Sequence, residues 1–391
     1  MRILYLDLNL EYANPTRNLI PRMLDYKFEV TYFGPGYVSN EVFDEGIVNF
    51  IKDKKAFDFI ITNEKIALFY GCTEKTCFGS HHYVFKMDYK LFIDGMYHMK
   101  DYFYSYKKEE KIVFLMETDY YAITDEYHIS AFEKLDCFFV GFGSQFIEYI
   151  ENLKNLKNEK FGDKANNKWK NFVEKNDAKI ISFPGIIGEN EFSYNDWTHK
   201  KEICEVPGTE YYLRGEVSKV LKGTKYKAPY KIYNKIYSIL KRIGIPVYGN
   251  KISLKLYNLL FSNRIETSKY SYTCGSGLDW PIRKFFEIPA LGSILICNPF
   301  SSFSDLGFKD GVNCKISNPN SILDTIEYLS NNQNKSVEIA RCGRELILKK
   351  HSTLARANQF FDAVNNIKKN NFFGTYWKDG EFFIKEIKKY E

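Results

Sequence analysis

Residues 271–313 read SYTCGSGLDWPIRKFFEIPALGSILICNPFSSFSDLGFKDGVN, and the order of segments within them decides the fold. A β-rich run ends in the small-residue loop Cys274-Gly275-Ser276-Gly277. A helix-period segment follows over 280–290, then Gly292 and the apolar run SILIC at 293–297. Strand, glycine loop, helix and strand in succession make one parallel βαβ unit. Backbone amides where such a helix opens suit a phosphate or a sugar hydroxyl. A helix over 280–290 also places Asp279, Arg283 and Glu287 at i, i+4 and i+8, on one face. An acid–Arg–acid stripe is either a solvated, salt-bridged surface or the wall of a site. Glu287 leads directly into Ile-Pro-Ala-Leu-Gly and the apolar SILIC, which turns that end of the helix toward core or cleft.

Working outward, the same alternation fills the chain. Before this unit, strands are expected at 2–8, 28–33, 57–62, 111–116, 137–141 and 179–183. Helices are expected between them at 16–24, 42–52, 89–104, 126–134 and 145–153, with a Lys/Asn-rich surface insertion over 154–177. Residues 188–200 are polar and aperiodic. Beyond them come strands at 202–206, 269–273, 293–297 and 313–316, and helices at 210–221, 230–242, 252–261, 280–290, 321–330, 335–349 and 353–367. The expected fold class is α/β, with two tandem Rossmann-like domains facing a cleft and a hinge at 188–200. The N-terminal domain takes 1–195, the C-terminal domain 196–370, and 371–391 form a tail. In such folds ligands sit at the carboxyl ends of the strands.

Composition agrees and excludes rivals. A chain of 391 residues with 45% apolar content can bury two cores, and it is neither disordered, collagen-like nor a mini-protein. The eight Cys are scattered without a C-x-x-C pair, several in apolar runs, which reads as buried thiols rather than a metal site. No apolar run nears the ~18 residues of a membrane span. The opening MRILYLDLNLEY is interrupted by Asp7 and reads as a strand, so the expected location is cytoplasmic. There is no P-loop and no G-x-G-x-x-G after the first strand. The pair His81-His82 has no Ser or Cys partner at an interpretable spacing.

The net charge of +6 hides its distribution. Residues 214–255 hold eleven Lys or Arg and one acid, Glu216, leaving the remainder slightly acidic. Within them YKIYNKIYSILKR (230–242) is amphipathic, with Ile232, Ile236 and Ile239 against Lys231, Lys235, Lys241 and Arg242. The segment 225–255 fits a helix lying on an anionic membrane. It also fits an ordinary packed helix with a solvated basic face. Nucleic acid, through Lys interleaved with Tyr, is the least supported partner.

The residues 283–292 (RKFFEIPALG), 309–313 (KDGVN) and 351–364 (HSTLARANQFFDAV) resemble the nucleotide-sugar half of group 1, GT-B-fold glycosyltransferases, nearest the spore-maturation (CgeB-like) subgroup. The resemblance spans about residues 202–365. It implies a sugar transfer from a nucleotide-sugar donor to a hydroxyl of a glycan, lipid-linked glycan or other surface polymer. The family's Glu, seven residues, Glu correspond to Asp279 and Glu287, the first being a shorter carboxylate here. Glu287 would then bind the donor ribose, Asp279 with Gly275, Ser276 and Gly277 would face the sugar, and Arg283 would neutralise the acids or reach the diphosphate.

A strand ending at Pro207-Gly208 before a helix with Arg214 and Lys219 suits a diphosphate, since helix amides and cations add; the alternative is exposed surface charge. The strand at 111–116 ends in Glu117-Thr118-Asp119, where Asp119, or else Glu117, is placed to take the acceptor proton. The Thr-Asp pair is similar to the base position in phage DNA β-glucosyltransferases; helix capping or loop solvation is the alternative. Glu11 and Glu64 stand at other strand ends, and Asn9, Arg17, Gly34 and Gly36 would wall the acceptor. No Asp-x-Asp occurs, so the expected reaction uses neither metal nor cofactor. In this fold such a tail often returns to the N-terminal domain. Two rival readings stay open: a nucleotide-sugar epimerase of the same fold, and an inactive surface or scaffold protein.

Overall fold

Short runs rich in Ile, Val, Phe and Tyr are too apolar to leave either face in water, and they build two parallel sheets covered by helices. The computed structural model describes residues 1–9, 15–64, 66, 89–106, 110–116, 126–146, 163–192, 196–208, 210, 212–229, 235–236, 239, 242–243, 251–275 and 280–385. In the first half β1 (Arg2–Leu6), α1 (Pro15–Asp25), β2 (Glu29–Phe33), α2 (Asn40–Glu45), α3 (Ile47–Ile51) and β3 (Phe59–Asn63) come first. After these follow α4 (Tyr89–Ser105), β4 (Lys111–Leu115), α5 (Glu126–Glu133), β5 (Cys137–Gly141), α6 (Asp163–Asn176) and β6 (Ile180–Ser182). The six strands pair in parallel in the order β2-β1-β3-β4-β5-β6. Alternation along β1 sends Ile3 and Tyr5 to one core, with Leu19 and Met23, and Leu4 and Leu6 to the other, with Phe103 and Phe114. The single helix expected over 42–52 is two, because Gly46 takes a φ of 86° between α2 and α3.

The second sheet gathers β7 (Lys201–Glu205), β8 (Ser268–Cys274), β9 (Ile294–Asn298) and β10 (Lys315–Ile316), parallel in the order β10-β9-β8-β7. Around it lie α7 (Leu213–Leu221), α8 (Lys251–Glu266), α9 (Lys284–Ala290), α10 (Ile322–Asn331) and α11 (Gln333–Lys350). The fold class is thus the expected one: α/β, with two parallel sheets in tandem.

The chain then returns. At this crossing the Ile187 amide donates to the His351 carbonyl at 3.0 Å, and the Thr353 amide to Ile187 at 2.9 Å. Helix α12 (Thr353–Lys368) lies on the first sheet's side. Its Phe360 and Phe361 meet Phe28, and Ala357, Val364 and Ile367 enter the core built on Ile3 and Ile61. By packing, α12 therefore belongs with the first sheet although it falls within 196–370. The tail adds a hairpin of β11 (Thr375–Lys378) and β12 (Glu381–Ile384), turned at Asp379-Gly380 with both φ positive. Its Trp377 indole donates to the Ser182 carbonyl, and Thr375 accepts from the Ser182 amide.

Candidate functional site

The loops at the carboxyl ends of both sheets meet each other. Phe142, just past β5, lies 5.2 Å from the ring of Trp280, past β8. Ser302, past β9, donates to the carbonyl of Gln145 at 2.9 Å. The carboxyl ends of the strands, where ligands of open α/β sheets bind, therefore approach each other from both halves.

On the second-sheet side the decisive position is Gly208, just after β7, with φ 80°. A Cβ there would lie 2.7 Å from Lys284 Cε, 3.2 Å from Lys284 Nζ and 3.5 Å from Arg214 Nη1. Glycine serves two needs here: the left-handed backbone, and space between two cationic heads. Arg214 is buried at the start of α7, with Nη1 donating to the Pro207 carbonyl at 3.4 Å. The residue before that helix, Tyr212, has φ 54°, a conformation costly for a side chain and one that recurs at functional sites. Arg and Lys heads beside one glycine are placed so that one anion can contact both. Lys284 was not singled out from the sequence. Its partner Gly208 is 76 positions upstream, and only the fold brings them together. Lys219, the second cation expected at the diphosphate, lines a pocket of about 470 Å³ beside the end of β7, with Glu205, Glu210, Lys222, Lys227 and Arg264.

The helix after β8 differs from expectation. It begins at Lys284 rather than 280, with Arg283 as the residue before it. Pro281 drives its predecessor toward an extended conformation, and Trp280 donates back to the Gly275 carbonyl at 2.8 Å, closing the loop before the helix starts. The described residues 280–283 are therefore not the helical turn that a stripe through 279, 283 and 287 requires. Arg283 Nε instead donates to Glu287 Oε1 at 2.8 Å, while its Nη2 pairs with Glu191 from the segment between the sheets. Arg283 thus pairs with Glu287, one of the acids expected beside it, and with Glu191, a partner that sequence reading missed. Gly275 is buried at the end of β8. Ser276, Gly277 and Asp279 lie outside the described residues.

On the first-sheet side Asn9, Gly34 and Gly36 come together at the ends of β1 and β2. The Asn9 amide donates to Pro35 at 2.9 Å and its Nδ2 to the Gly36 carbonyl at 3.3 Å. A Cβ on Gly34 would fall 2.0 Å from the Asp7 carbonyl oxygen, so no other residue fits. Glu64 stands fully buried just past β3. Asp119, Glu117 and Glu11, with the His81-His82 pair, lie outside the described residues, as does the side chain of Arg17. Burial pushes the Cys204 and Cys297 thiols up, which keeps both protonated and unsuited to nucleophilic attack.

Residues 264–362 match the sequence model of a glycosyl transferase-like family. That stretch carries Lys284, Arg283 and Glu287. No curated protein matches the sequence. Among solved structures, Anabaena HepE in complex with UDP and glucose aligns over 94% of this chain and 100% of its own, at 10% identity and a TM-score of 0.45. Sucrose-phosphate synthase from Thermosynechococcus elongatus aligns over 95% and 100%, at 10% identity and 0.48. A glycosyltransferase from Rickettsia africae aligns over 95% and 99%, at 9% and 0.45. Likenesses at this distance add nothing to the topology read from the strands.

Proposed function

We propose that the chain is a glycosyltransferase of the GT-B, spore-maturation type. In this reading it moves a sugar from a nucleotide-sugar donor, bound over the second sheet, to an acceptor hydroxyl held over the first. The observation that carries the proposal is the convergence of Arg214 and Lys284 on Gly208, beside a helix whose sequence matches a glycosyl transferase-like family. Two cations at a left-handed glycine suit a diphosphate, whose bridging geometry offers an oxygen to each. Glu287, one turn beyond Lys284, is then the acceptor of the ribose hydroxyls, and Arg283 with Glu191 fixes its carboxylate in place.

As the bond between sugar and phosphate breaks, negative charge collects on the departing diphosphate. Arg214 and Lys284 stabilise that charge, with no metal required by the scheme. The acceptor hydroxyl loses its proton to a carboxylate beyond β4, for which Asp119 is the first choice and Glu117 the second. Calorimetric titration with UDP-, GDP- and CMP-linked sugars tests the donor half: one of them should bind, and Glu287→Ala should remove that binding. Asp119→Asn should leave donor affinity intact and cut turnover. Full activity of Asp119→Asn would move the base elsewhere. A donor that is isomerised without transfer would identify an epimerase, and a folded chain that binds none of the three would end the enzyme reading.

A further inference from the structure

Helix α8 presents apolar side chains to solvent. Ile252, Leu256 and Leu259 are 80%, 44% and 58% exposed and stand at i, i+4 and i+7, which is one stripe along the helix. Near its C-terminal end, Phe261 and Ile265 pack into the core, so the helix has a conventional buried side and a second apolar side besides. Just upstream, Ile239 and Ile243 are also exposed, at 48% and 63%. A stripe of exposed aliphatics along one helix marks a contact surface rather than ordinary surface scatter.

The charge along this stretch of sequence has one sign. Among its described residues Lys235, Arg242 and Lys255 are exposed. The sequence from 217 to 265 holds eleven Lys or Arg and not one Asp or Glu. Aliphatic side chains set among unopposed cations complement one kind of partner particularly well: a surface negatively charged outside and hydrocarbon just beneath. Nucleic acid shares the charge but offers aromatic bases, and Ile and Leu provide no ring for them to stack on.

We propose that the α8 stripe of Ile252, Leu256 and Leu259, with Lys255 beside it and the exposed Lys235, Ile239, Arg242 and Ile243 of the preceding segment, docks on an anionic phospholipid bilayer. The aliphatic side chains enter the boundary between headgroups and acyl chains, and the cations meet lipid phosphates. The docking stands on its own observations. Its consequence for substrate choice, that the acceptor is lipid-linked, rests on the glycosyltransferase reading.

The full chain should co-sediment with mixed phosphatidylcholine–phosphatidylglycerol vesicles, not with phosphatidylcholine alone, and binding should weaken with salt. The triple variant Ile252→Ser/Leu256→Ser/Leu259→Ser should lower the partition coefficient by roughly tenfold or more. The triple variant Lys235→Ala/Arg242→Ala/Lys255→Ala should lower it roughly 100-fold. All six positions are exposed, so urea midpoints should match the parent. Calorimetric donor binding should match it too, which separates failure here from failure of the glycosyltransferase reading. Three results would overturn the proposal. The parent ignores anionic vesicles; the serine variant binds them as the parent does, with single-stranded RNA competing; or the parent sediments as a dimer that the serine variant converts to monomer, making the face a contact between copies.

Discussion

Arg356 and Arg214 are buried almost equally and held in opposite ways. Around Arg356 the protein supplies everything. Nε donates to the Gly185 carbonyl, Nη1 to Gln359 and Nη2 to His351 Nδ1, while the guanidinium lies 4.6 Å from the Trp377 ring centroid and 5.1 Å from that of Phe183. Arg214 Nη1 donates to the Pro207 carbonyl, and at Gly208 it has a second cation, Lys284, beside it. The first arrangement closes a crossing between the two sheets. The second gathers like charge at the carboxyl end of β7. A buried cation is a structural element where acceptors and aromatic faces enclose it, and a binding element where the fold brings another cation beside it.

That contrast can be broken in four ways. Arg356→Met should cost about 3–5 kcal/mol of stability, because it leaves buried acceptors on Gly185 and His351 without their donor. Urea unfolding reads this directly, and a loss under about 1 kcal/mol would remove Arg356 from its structural role. Arg214→Met should tip the balance the other way: donor affinity falls on the order of 100-fold while the urea midpoint moves less than in Arg356→Met. Equal destabilisation by the two variants would erase the distinction between them. Gly208→Ala forces a side chain into a left-handed backbone at about 1–2 kcal/mol and pushes Lys284 aside. Donor affinity should then drop roughly tenfold by calorimetry.

The smallest effect is that of pH. His351 is fully buried, donates from Nε2 to the Leu306 carbonyl, and accepts from Arg356 at Nδ1, so it is held neutral. Burial first, then the Arg356 charge, pushes it well below its ordinary 6.5. Below that value the unfolded chain takes up a proton that the folded one refuses. Stability is therefore level above about pH 6.5 and declines as pH falls beneath it, by up to about 1.4 kcal/mol per pH unit. His351→Gln, which cannot titrate, should flatten the urea midpoint between pH 5 and 7. An unchanged slope would assign the acid sensitivity to another group.

Much of the fold was legible because the strands are short, apolar on both faces and punctuated by glycine. The expected run 137–141 matches the strand at both ends, and 111–116 and 179–183 lie within a residue of theirs at each end. Local breaks were harder. Gly46 splits one expected helix, and Pro281 delays α9 by four residues; each is a backbone effect that hydrophobic spacing does not register. Distance in sequence hid more. Lys284 sits inside the motif that named the family, yet its meaning depends on Gly208, and Glu191 answers Arg283 from 92 positions away. The apolar face of 353–368 was visible as periodicity, but periodicity does not say which of two sheets a helix will cover.

The return of the chain at Ser352 has a consequence for how the protein is made. The first sheet is complete in its strands by Ser182, but part of its core is α12, and Trp377 holds the Ser182 carbonyl. Half of the molecule is thus synthesised early and sealed late. On the ribosome the early half waits, with Ile3, Phe28 and Ile61 short of their final neighbours, until residues 353–377 have emerged. A stop codon just before Ser352 would leave the second sheet's strands intact and strip the first of its cover. Damage near the carboxyl terminus would then show itself as failure at the amino end.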